Sequence, residues 1–504
     1  MYEPCCSTSR LRGGGATMAK RPKSAESDQK PSLPTDKGAA SKTPSANSPK
    51  TAVVLIHGMG EQRPMATLWG FVEAVWRTDR SLTPSHGNVV YAKPDEISDN
   101  FDLRRVTTRY WSDPDPRRVD FFEFYWAHLM QGNTVQGALS WIRELFVRPP
   151  SSVPRGLRWV WLLGLVLLIA AGVLMALAAL PSEVLEQFLP RSWTLALAVF
   201  ALLVSLGATR WLAPVAGDAA RYFSADPSNV AARNTIRRAG VDVLEKLTRS
   251  GEYDRIIVVG HSLGSAIGLD VLAGAYERVA RETWAAAHPP RSAAARSLRA
   301  VEKAAAALRD APLDAEAFIR YRDAQRAYAR TLSAGFRSGE APWLVSDFVT
   351  LGSPLSKADI LITRDRDRFD FNVGARSVSK CPPLLEQADP PRFSFEVSQG
   401  RWGPHHAAAF ASTTWTNLYF PSRMIVFGDI VSGPVASLFG PGIRDVKLAI
   451  GAPRFRHNDY WRDPEADPTP EWIVALRRAL NLRLAAETEV WGGLDDEDAA
   501  RPTL

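Results

Sequence analysis

Cysteine is scarce, with three in 504 residues, and two of those are the adjacent pair Cys5-Cys6. That excludes a disulfide-stapled framework. A charge surplus is also missing from most of the chain. The net charge is +7, but residues 1–50 carry nine Lys and Arg against four Asp and Glu, so five of the seven charges lie there. The remainder is nearly neutral, which argues against nucleic-acid binding. Large apolar side chains are almost absent from the same 50 residues, which are rich in Ser, Pro, Lys, Ala and Gly. Such a segment cannot bury enough surface to offset chain entropy, so a disordered basic head is expected over 1–50. It also lacks the apolar stretch of a secretory signal. Met18, followed by Ala-Lys-Arg, is a candidate start that would leave residues 1–17 untranslated.

What is there suits a large folded protein. The chain is 46% hydrophobic and 23% charged, enough apolar material for a sizeable core. Order is expected from Thr51. The apolar run Ala52-Val53-Val54-Leu55-Ile56 reads as a strand buried on both faces of a parallel sheet. Further strands are expected at 119–126, 255–259, 345–351, 423–427 and 445–450, with helices near 230–248 and 263–281. Strands alternating with helical patterns predict an α/β sheet.

Two stretches do not fit such a sheet. Residues 159–180 hold no charge over 22 positions, and 193–209 none over 17. At 1.5 Å per residue the first spans roughly 33 Å, enough for a bilayer core of about 30 Å. Trp159, Trp161, Trp193 and Trp211 sit at the ends, as in an aromatic belt. A transmembrane helical hairpin follows, with spans of about 159–180 and 193–211. Arg143, Arg148, Arg155 and Arg158 precede it, Arg210 and Arg221 follow it, and its connector holds only Arg191 among basic residues. The positive-inside rule therefore places both large flanking segments in the cytoplasm.

Residues 285–335 form a second insertion. Leu298, Val301, Ala305 and Leu308, then Phe318, Tyr321, Ala324 and Tyr328, have helical spacing and predict a helical hairpin. It is either a packing arm or a partner-binding arm. The expected organisation is thus a head (1–50), a first core part (51–150), the membrane hairpin (151–222), a core segment (223–284), the helical insertion (285–340), the last core part (341–485) and a solvated acidic tail (486–504).

The chemistry is concentrated in Gly260-His261-Ser262-Leu263-Gly264, directly after the strand at 255–259 and before a helix. A strained strand-to-helix turn lifts the Ser262 hydroxyl above the sheet edge, and Gly260 and Gly264 relieve its crowding. The same turn aims the Leu263 N–H at a developing oxyanion. The second motif is His57-Gly58-Met59-Gly60 after the first strand. Gly58 and Gly60 allow a tight turn that presents the Met59 N–H as the other oxyanion donor, each such donor being worth about 3 kcal/mol in the transition state. His57 then has a structural role, the loop needing its backbone rather than its ring.

With these motifs the chain resembles the α/β-hydrolase superfamily, specifically lipase- and esterase-like serine hydrolases. The resemblance lies in 52–64, 255–274, 348–355 (with Thr350-Leu351-Gly352-Ser353-Pro354) and 415–461, about a third of the chain. It implies an α/β-hydrolase fold interrupted by the membrane hairpin and the helical arm. It also implies the chain order Ser, acid, His. The acid should follow a late strand, and Gly428-Asp429 ends the expected strand at 423–427. Of the eight histidines only His457 follows Asp429. The implied triad is therefore Ser262, Asp429 and His457, with Asp445 and Asp359 as alternative acids. Ser353 is expected to line the site, not to act as a second nucleophile.

His405-His406 lacks further metal ligands at a recognisable spacing, so neither metal nor cofactor is expected. The function implied is a membrane-anchored serine hydrolase of a lipid or acyl ester, with the bilayer and that ester as partners. The alternative is a non-catalytic membrane-anchored scaffold that binds a partner through the helical insertion.

Overall fold

The computed structural model describes residues 50–59, 63–82, 89–97, 103–108, 118–130, 150, scattered positions between 158 and 173, 222–223, 227–289, 291–338, 341–363, 365–398, 400–422, 427–451, 454–485 and 487–491. The strands in chain order are β1 (Lys50–Ile56), β2 (Val90–Pro94), β3 (Arg104–Thr108), β4 (Arg118–Phe124), β5 (Arg255–His261), β6 (Val345–Leu351), β7 (Ser394–Ser398), β8 (Arg401–Pro404), β9 (Thr414–Tyr419) and β10 (Arg444–Lys447). Eight of them form one sheet in the order β10-β9-β6-β5-β1-β4-β3-β2, while β7 and β8 make a separate hairpin. Pairing is parallel from β10 through β4, and β3 and β2 extend the sheet antiparallel.

The continuous apolar run of β1 is explained by cover on both faces. Alternate residues of a strand point to opposite faces. Ala52, Val54 and Ile56 pack with Val258, Ile267 and Leu272, whereas Val53 and Leu55 pack with Ile257, Leu68 and Leu476. The first face is covered by α2 (Pro227–Arg249) and α3 (Leu263–Ala287), the second by α1 (Ala66–Val72) and α6 (Glu471–Leu480). Burying each such side chain contributes roughly 1.5–3 kcal/mol. The result is a helix–sheet–helix sandwich in the α/β class.

The insertion is a helical hairpin, α4 (Ala293–Asp310) and α5 (Ala315–Leu332). Ser292 caps α4 by accepting from the Ala295 N–H at 3.1 Å, and Asp314 caps α5 by accepting from the Glu316 N–H at 2.9 Å. Leu298, Val301, Ala305, Leu308, Phe318, Tyr321 and Tyr328 are buried against the first core. Gln325 donates to the Phe410 and Thr413 carbonyls at 2.6 and 3.1 Å, which ties α5 to the chain entering β9.

The segment assigned to the acidic tail begins with a packed helix, α7 (Glu487–Trp491). Glu487 is buried and accepts from Arg322 Nε at 3.1 Å and Arg444 Nε at 3.0 Å, with Arg326 Nη2 at 2.6 Å. Burial opposes its charge, but the three arginines outweigh that and hold its carboxyl below the usual range. Arg444 is also sandwiched between the Phe318 and Trp491 rings, at 4.9 and 5.0 Å. The acidic run Asp495–Asp498 lies outside the described residues, as do the head up to residue 49 and the span 193–211.

Other expectations shift. Arg423–Val426, the body of the strand expected at 423–427, lie outside the described residues; Gly428 makes only an isolated bridge with Phe455. The sheet position next to β6 is filled instead by β9, whose six residues are all buried. Its Thr and Asn side chains hide it from an apolar search, because they are satisfied only in the folded chain: Thr414 donates to Asp347 at 2.8 Å, Asn417 to Asp445 at 2.7 Å, and Thr416 accepts from Arg322 Nη2 at 3.1 Å. The strand expected at 445–450 is β10 and ends at Lys447. The strand expected at 119–126 ends at Phe124, because the Trp126 N–H turns to His57 Nε2 at 3.2 Å. The antiparallel pair β2–β3 has too short and polar a pattern to be read from the sequence. Among the described residues no helix is long and apolar enough to cross a membrane.

Removing one partner of a buried ion cluster costs about 3–5 kcal/mol, because the other charge is left uncompensated. Glu487→Gln should therefore lower the unfolding free energy by about that amount in denaturant titration. Glu316→Gln, which breaks the exposed pair with Arg320, should change it by less than about 0.5 kcal/mol.

Candidate active site

Strand β5 ends at His261 and α3 begins at Leu263, so Ser262 alone makes the turn. Its φ is 53°, in the left-handed region. That conformation costs a non-glycine residue about 1–3 kcal/mol and persists only where neighbours impose it. The Ser262 N–H donates to the Leu351 carbonyl at 2.8 Å, and its own carbonyl accepts from the Ser265 N–H at 2.9 Å and the Ser265 hydroxyl at 2.6 Å. With the Ser265 proton so engaged, the Ser353 hydroxyl donates to Ser265 Oγ at 2.7 Å. Ser353 is fully buried and also accepts from the Leu355 N–H at 3.2 Å. It braces the turn from beneath instead of lining the site.

The glycines of both motifs are close-approach positions. A Cβ on Gly260 would lie 2.5 Å from Ser265 Cα, and one on Gly264 would strike the Ile56 carbonyl oxygen. On Gly58 it would stand 2.9 Å from Ser262 Cβ, so the loop after β1 passes directly against the serine. Gly60 lies outside the described residues. Met59 is half-buried and packed against the core. Leu263 opens α3, where first-turn N–H groups have no intrahelical acceptor and the helix dipole favours negative charge.

The His57 ring takes part in holding this loop, contrary to the expectation that only its backbone matters. Its Nε2 accepts from the Trp126 N–H, its carbonyl accepts from Trp126 Nε1 at 2.9 Å, and the two rings stack with centroids 5.0 Å apart. Nδ1–H then donates to the Gly58 carbonyl at 2.8 Å. Burial drives the His57 pKa down to about 4, so the ring stays neutral in this tautomer. At the far end, the Met65 N–H donates to buried Glu123 at 2.5 Å, a carboxyl that burial pushes up to about 7.

His457 lies on the loop after β10, and Asp429 on the loop between β9 and β10. His457 Nε2 is 2.8 Å from Ser262 Oγ, and Nδ1 is 3.0 Å from both Asp429 oxygens. The two loops are pinned to each other by Gly428 N–H to the Arg454 carbonyl at 3.0 Å and Arg456 N–H to the Gly428 carbonyl at 2.8 Å. Asp429 is fully buried and also accepts from Tyr460 OH at 2.8 Å and the Val431 N–H at 2.9 Å. Burial raises its pKa, but the bonds to His457 and Tyr460 outweigh that and bring it down to about 2. An ionised carboxylate only accepts. His457 Nδ1 is therefore the donor, which leaves the Nε2 lone pair facing the serine hydroxyl.

The alternative acids stand elsewhere. Asp445 accepts from the Val435 and Ala436 N–H groups at 3.0 and 2.9 Å and from Asn417, and burial pushes it up to about 6. Asp359 sits in the helical turn Ala358–Leu361, its pKa raised by burial. His405 has both ring nitrogens engaged, Nε2 with the Leu384 carbonyl at 3.1 Å and Nδ1 with the Ala407 N–H at 3.2 Å.

Comparison of the chain with models of known protein families, with curated proteins and with solved structures finds no match. The chemistry of the site is therefore read from its own geometry.

Three supporting residues escaped sequence reasoning. Tyr460 carries no motif signal beyond its place three residues after His457. Lys357 donates to the Val431 and Ser432 carbonyls at 2.8 and 3.2 Å, and burial lowers its pKa to about 8. Gly352 adopts φ 62°, and a Cβ there would lie 2.8 Å from the Tyr460 ring, 3.2 Å from Asp429 Oδ2 and 3.3 Å from His457 Cε1. The signal for Gly352 was available, since it sits directly after β6 in Leu-Gly-Ser-Pro.

Gly352→Ala should therefore destabilise the protein by about 1–3 kcal/mol, through backbone strain and displacement of Tyr460. Gly374→Ala, with nothing within 4 Å of the added methyl, should be neutral or stabilising by up to about 1 kcal/mol. Thermal melts of the two variants beside wild type check both.

Proposed function

We propose that this chain is a serine hydrolase of the α/β-hydrolase type that cleaves an ester through an acyl-enzyme. One observation carries the reading: a serine in a left-handed strand-to-helix turn, 2.8 Å from a histidine whose other nitrogen rests on a buried carboxylate. The sheet, with the serine after one central strand and the glycine loop after its neighbour β1, is compatible with that fold.

In the first step Ser262 Oγ attacks the substrate carbonyl carbon while His457 Nε2 takes the hydroxyl proton. The carbonyl oxygen becomes an oxyanion, held by the Leu263 and Met59 N–H groups. The C–O bond to the leaving alcohol then breaks, and His457 returns the proton to that alcohol. Water repeats the sequence on the acyl-Ser262 ester and releases the carboxylic acid. Asp429 stays ionised throughout and stabilises the imidazolium.

The substrate we favour is a lipid or acyl ester, met at the cytoplasmic face of a bilayer in which the chain is anchored by a hairpin over about 159–180 and 193–211. Most of that region lies outside the described residues. The described positions Leu162, Val166, Ile169 and Val173 are helical and 46–58% exposed. Their spacing of four, three and four puts them on one helix face, as a lipid-facing stripe requires. Burial of Leu298, Val301, Ala305, Leu308, Phe318, Tyr321 and Tyr328 in the chain's own core favours the packing-arm reading of the insertion over the scaffold alternative.

Ser262→Ala should reduce ester hydrolysis by roughly 10⁴–10⁶ and abolish labelling by a fluorophosphonate probe. Hydrolysis within about tenfold of wild type would refute the nucleophile. Asp429→Asn should cost on the order of 10⁴ in kcat, and Asp445→Asn far less. Deleting residues 157–213 and bridging the ends should release the protein from membranes at alkaline pH; retention in the pellet would show that the hairpin is not the anchor.

A further inference from the structure

His261, the residue before the serine, is not used by the chemistry above. It is nevertheless buried at the centre of the site. Its Nε2 lies 2.9 Å from the main-chain carbonyl of His457. A carbonyl can only accept, so the His261 proton is on Nε2. Burial, with His457 adding to it, drives the pKa down to about 3, which keeps the ring neutral and this nitrogen a donor. The ring fits because Gly58 has no side chain: a Cβ there would stand 3.0 Å from His261 Nδ1. Trp461 meets the ring edge-on at 4.8 Å, Tyr460 at 5.9 Å, and Gly70 of α1 lies behind Trp461.

We propose that His261 is a positioning residue that clamps the His457 backbone to the elbow, so that nucleophile and base are joined by a main-chain path as well as by the Ser262 hydroxyl. The inference rests on the serine-hydrolase reading. The His457 loop has two other main-chain anchors, the Arg456 N–H on the Gly428 carbonyl and the Gly428 N–H on the Arg454 carbonyl, and both tie it to the loop that carries Asp429. Without His261 the imidazole stays registered to Asp429 but not to Ser262. A misplacement of about 1 Å costs on the order of 10²-fold in rate.

The test compares His261→Phe, which fills the space without a donor, with His261→Gln, whose amide nitrogen can reach the same carbonyl. The full-length protein is treated with a fluorophosphonate probe, and hydrogen–deuterium exchange is followed over residues 454–462. His261→Phe should lower the maximal labelling rate of Ser262 by roughly 10–100-fold, with little change in the probe concentration at half-maximal rate, and should speed exchange in that loop. His261→Gln should recover most of the rate and all of the protection. Wild-type labelling by the Phe variant, or equal impairment of both variants, overturns the clamp. Absence of labelling in wild type instead sinks the hydrolase reading, and exchange alone then decides whether His261 fixes the loop: unchanged exchange in the Phe variant overturns it, faster exchange reversed by Gln upholds it.

Discussion

The conformation of Ser262 is the constraint around which the neighbouring elements are arranged. A serine at φ 53° relaxes toward the strand or the helix unless both are held. Here the strand side is fixed by β6, through the Leu351 carbonyl, and the helix side by the Ser353–Ser265 hydroxyl chain. Both anchors come from one short stretch, Leu351 to Ser353. Gly352 between them gives way to Asp429, Tyr460 and His457. A single turn after β6 therefore braces Ser262 on one side and clears space for Asp429 and His457 on the other.

Polar groups are buried at both ends of the parallel strands, and the two ends differ in kind. At the carboxyl ends, Ser262 follows β5 and the loop that carries Asp429 follows β9. At the amino ends, arginines occupy the strand starts. Arg255 opens β5 and donates to Asp347 on β6 at 2.6 Å and to the Asn481 carbonyl after α6 at 2.9 Å. Arg444 opens β10, and Arg322 reaches the Trp415 carbonyl at the start of β9 at 2.8 Å. Arg322 and Arg444 meet at Glu487, which joins α5, β9, β10 and α7. Such clusters add little net stability over apolar packing, but they resist loss of any member. Their effect is to fix the sheet from the end opposite Ser262.

The apolar pattern made the parallel centre of the sheet legible. β1 and β5 hold runs of Ala, Val, Ile and Leu, β6 ends in Phe348-Val349-Thr350-Leu351 before Gly352, and the strand-to-helix turn at Ser262 follows from Gly-x-Ser-x-Gly in that context. The insertion was equally readable, since Leu298, Val301, Ala305 and Leu308 keep helical spacing. β9 was not, because two of its three Thr and Asn side chains, Thr414 and Asn417, find partners only across the assembled sheet. The packed start of the tail was not either: Glu487 reads as a surface charge until three distant arginines meet it. His57 and His261 illustrate the same limit. Chain order set both aside as bases, yet it could not show that each ring is a buried, neutral hydrogen-bonding brace.

The two buried aspartates near the end of the sheet, Asp429 on the loop before β10 and Asp445 within β10, differ in what surrounds them. Asp429 meets a histidine and a phenol, and its pKa falls to about 2; Asp445 meets only neutral amides, and burial lifts it to about 6. Stabilising an imidazolium requires a carboxyl of the first kind, one that stays ionised. The second has a different consequence. By accepting from the Val435 and Ala436 N–H groups, Asp445 holds the far end of the segment that Asp429 begins. Lys357 holds its middle through the Val431 and Ser432 carbonyls. Asp429 is thus carried on a loop fixed at its middle and its far end, each by a polar group from a different element. A carboxylate on such a loop cannot swing to solvent. The bonds of His457 to Asp429 and Ser262 are therefore imposed by the surrounding structure, and the imidazole need not rely on them alone to keep its place.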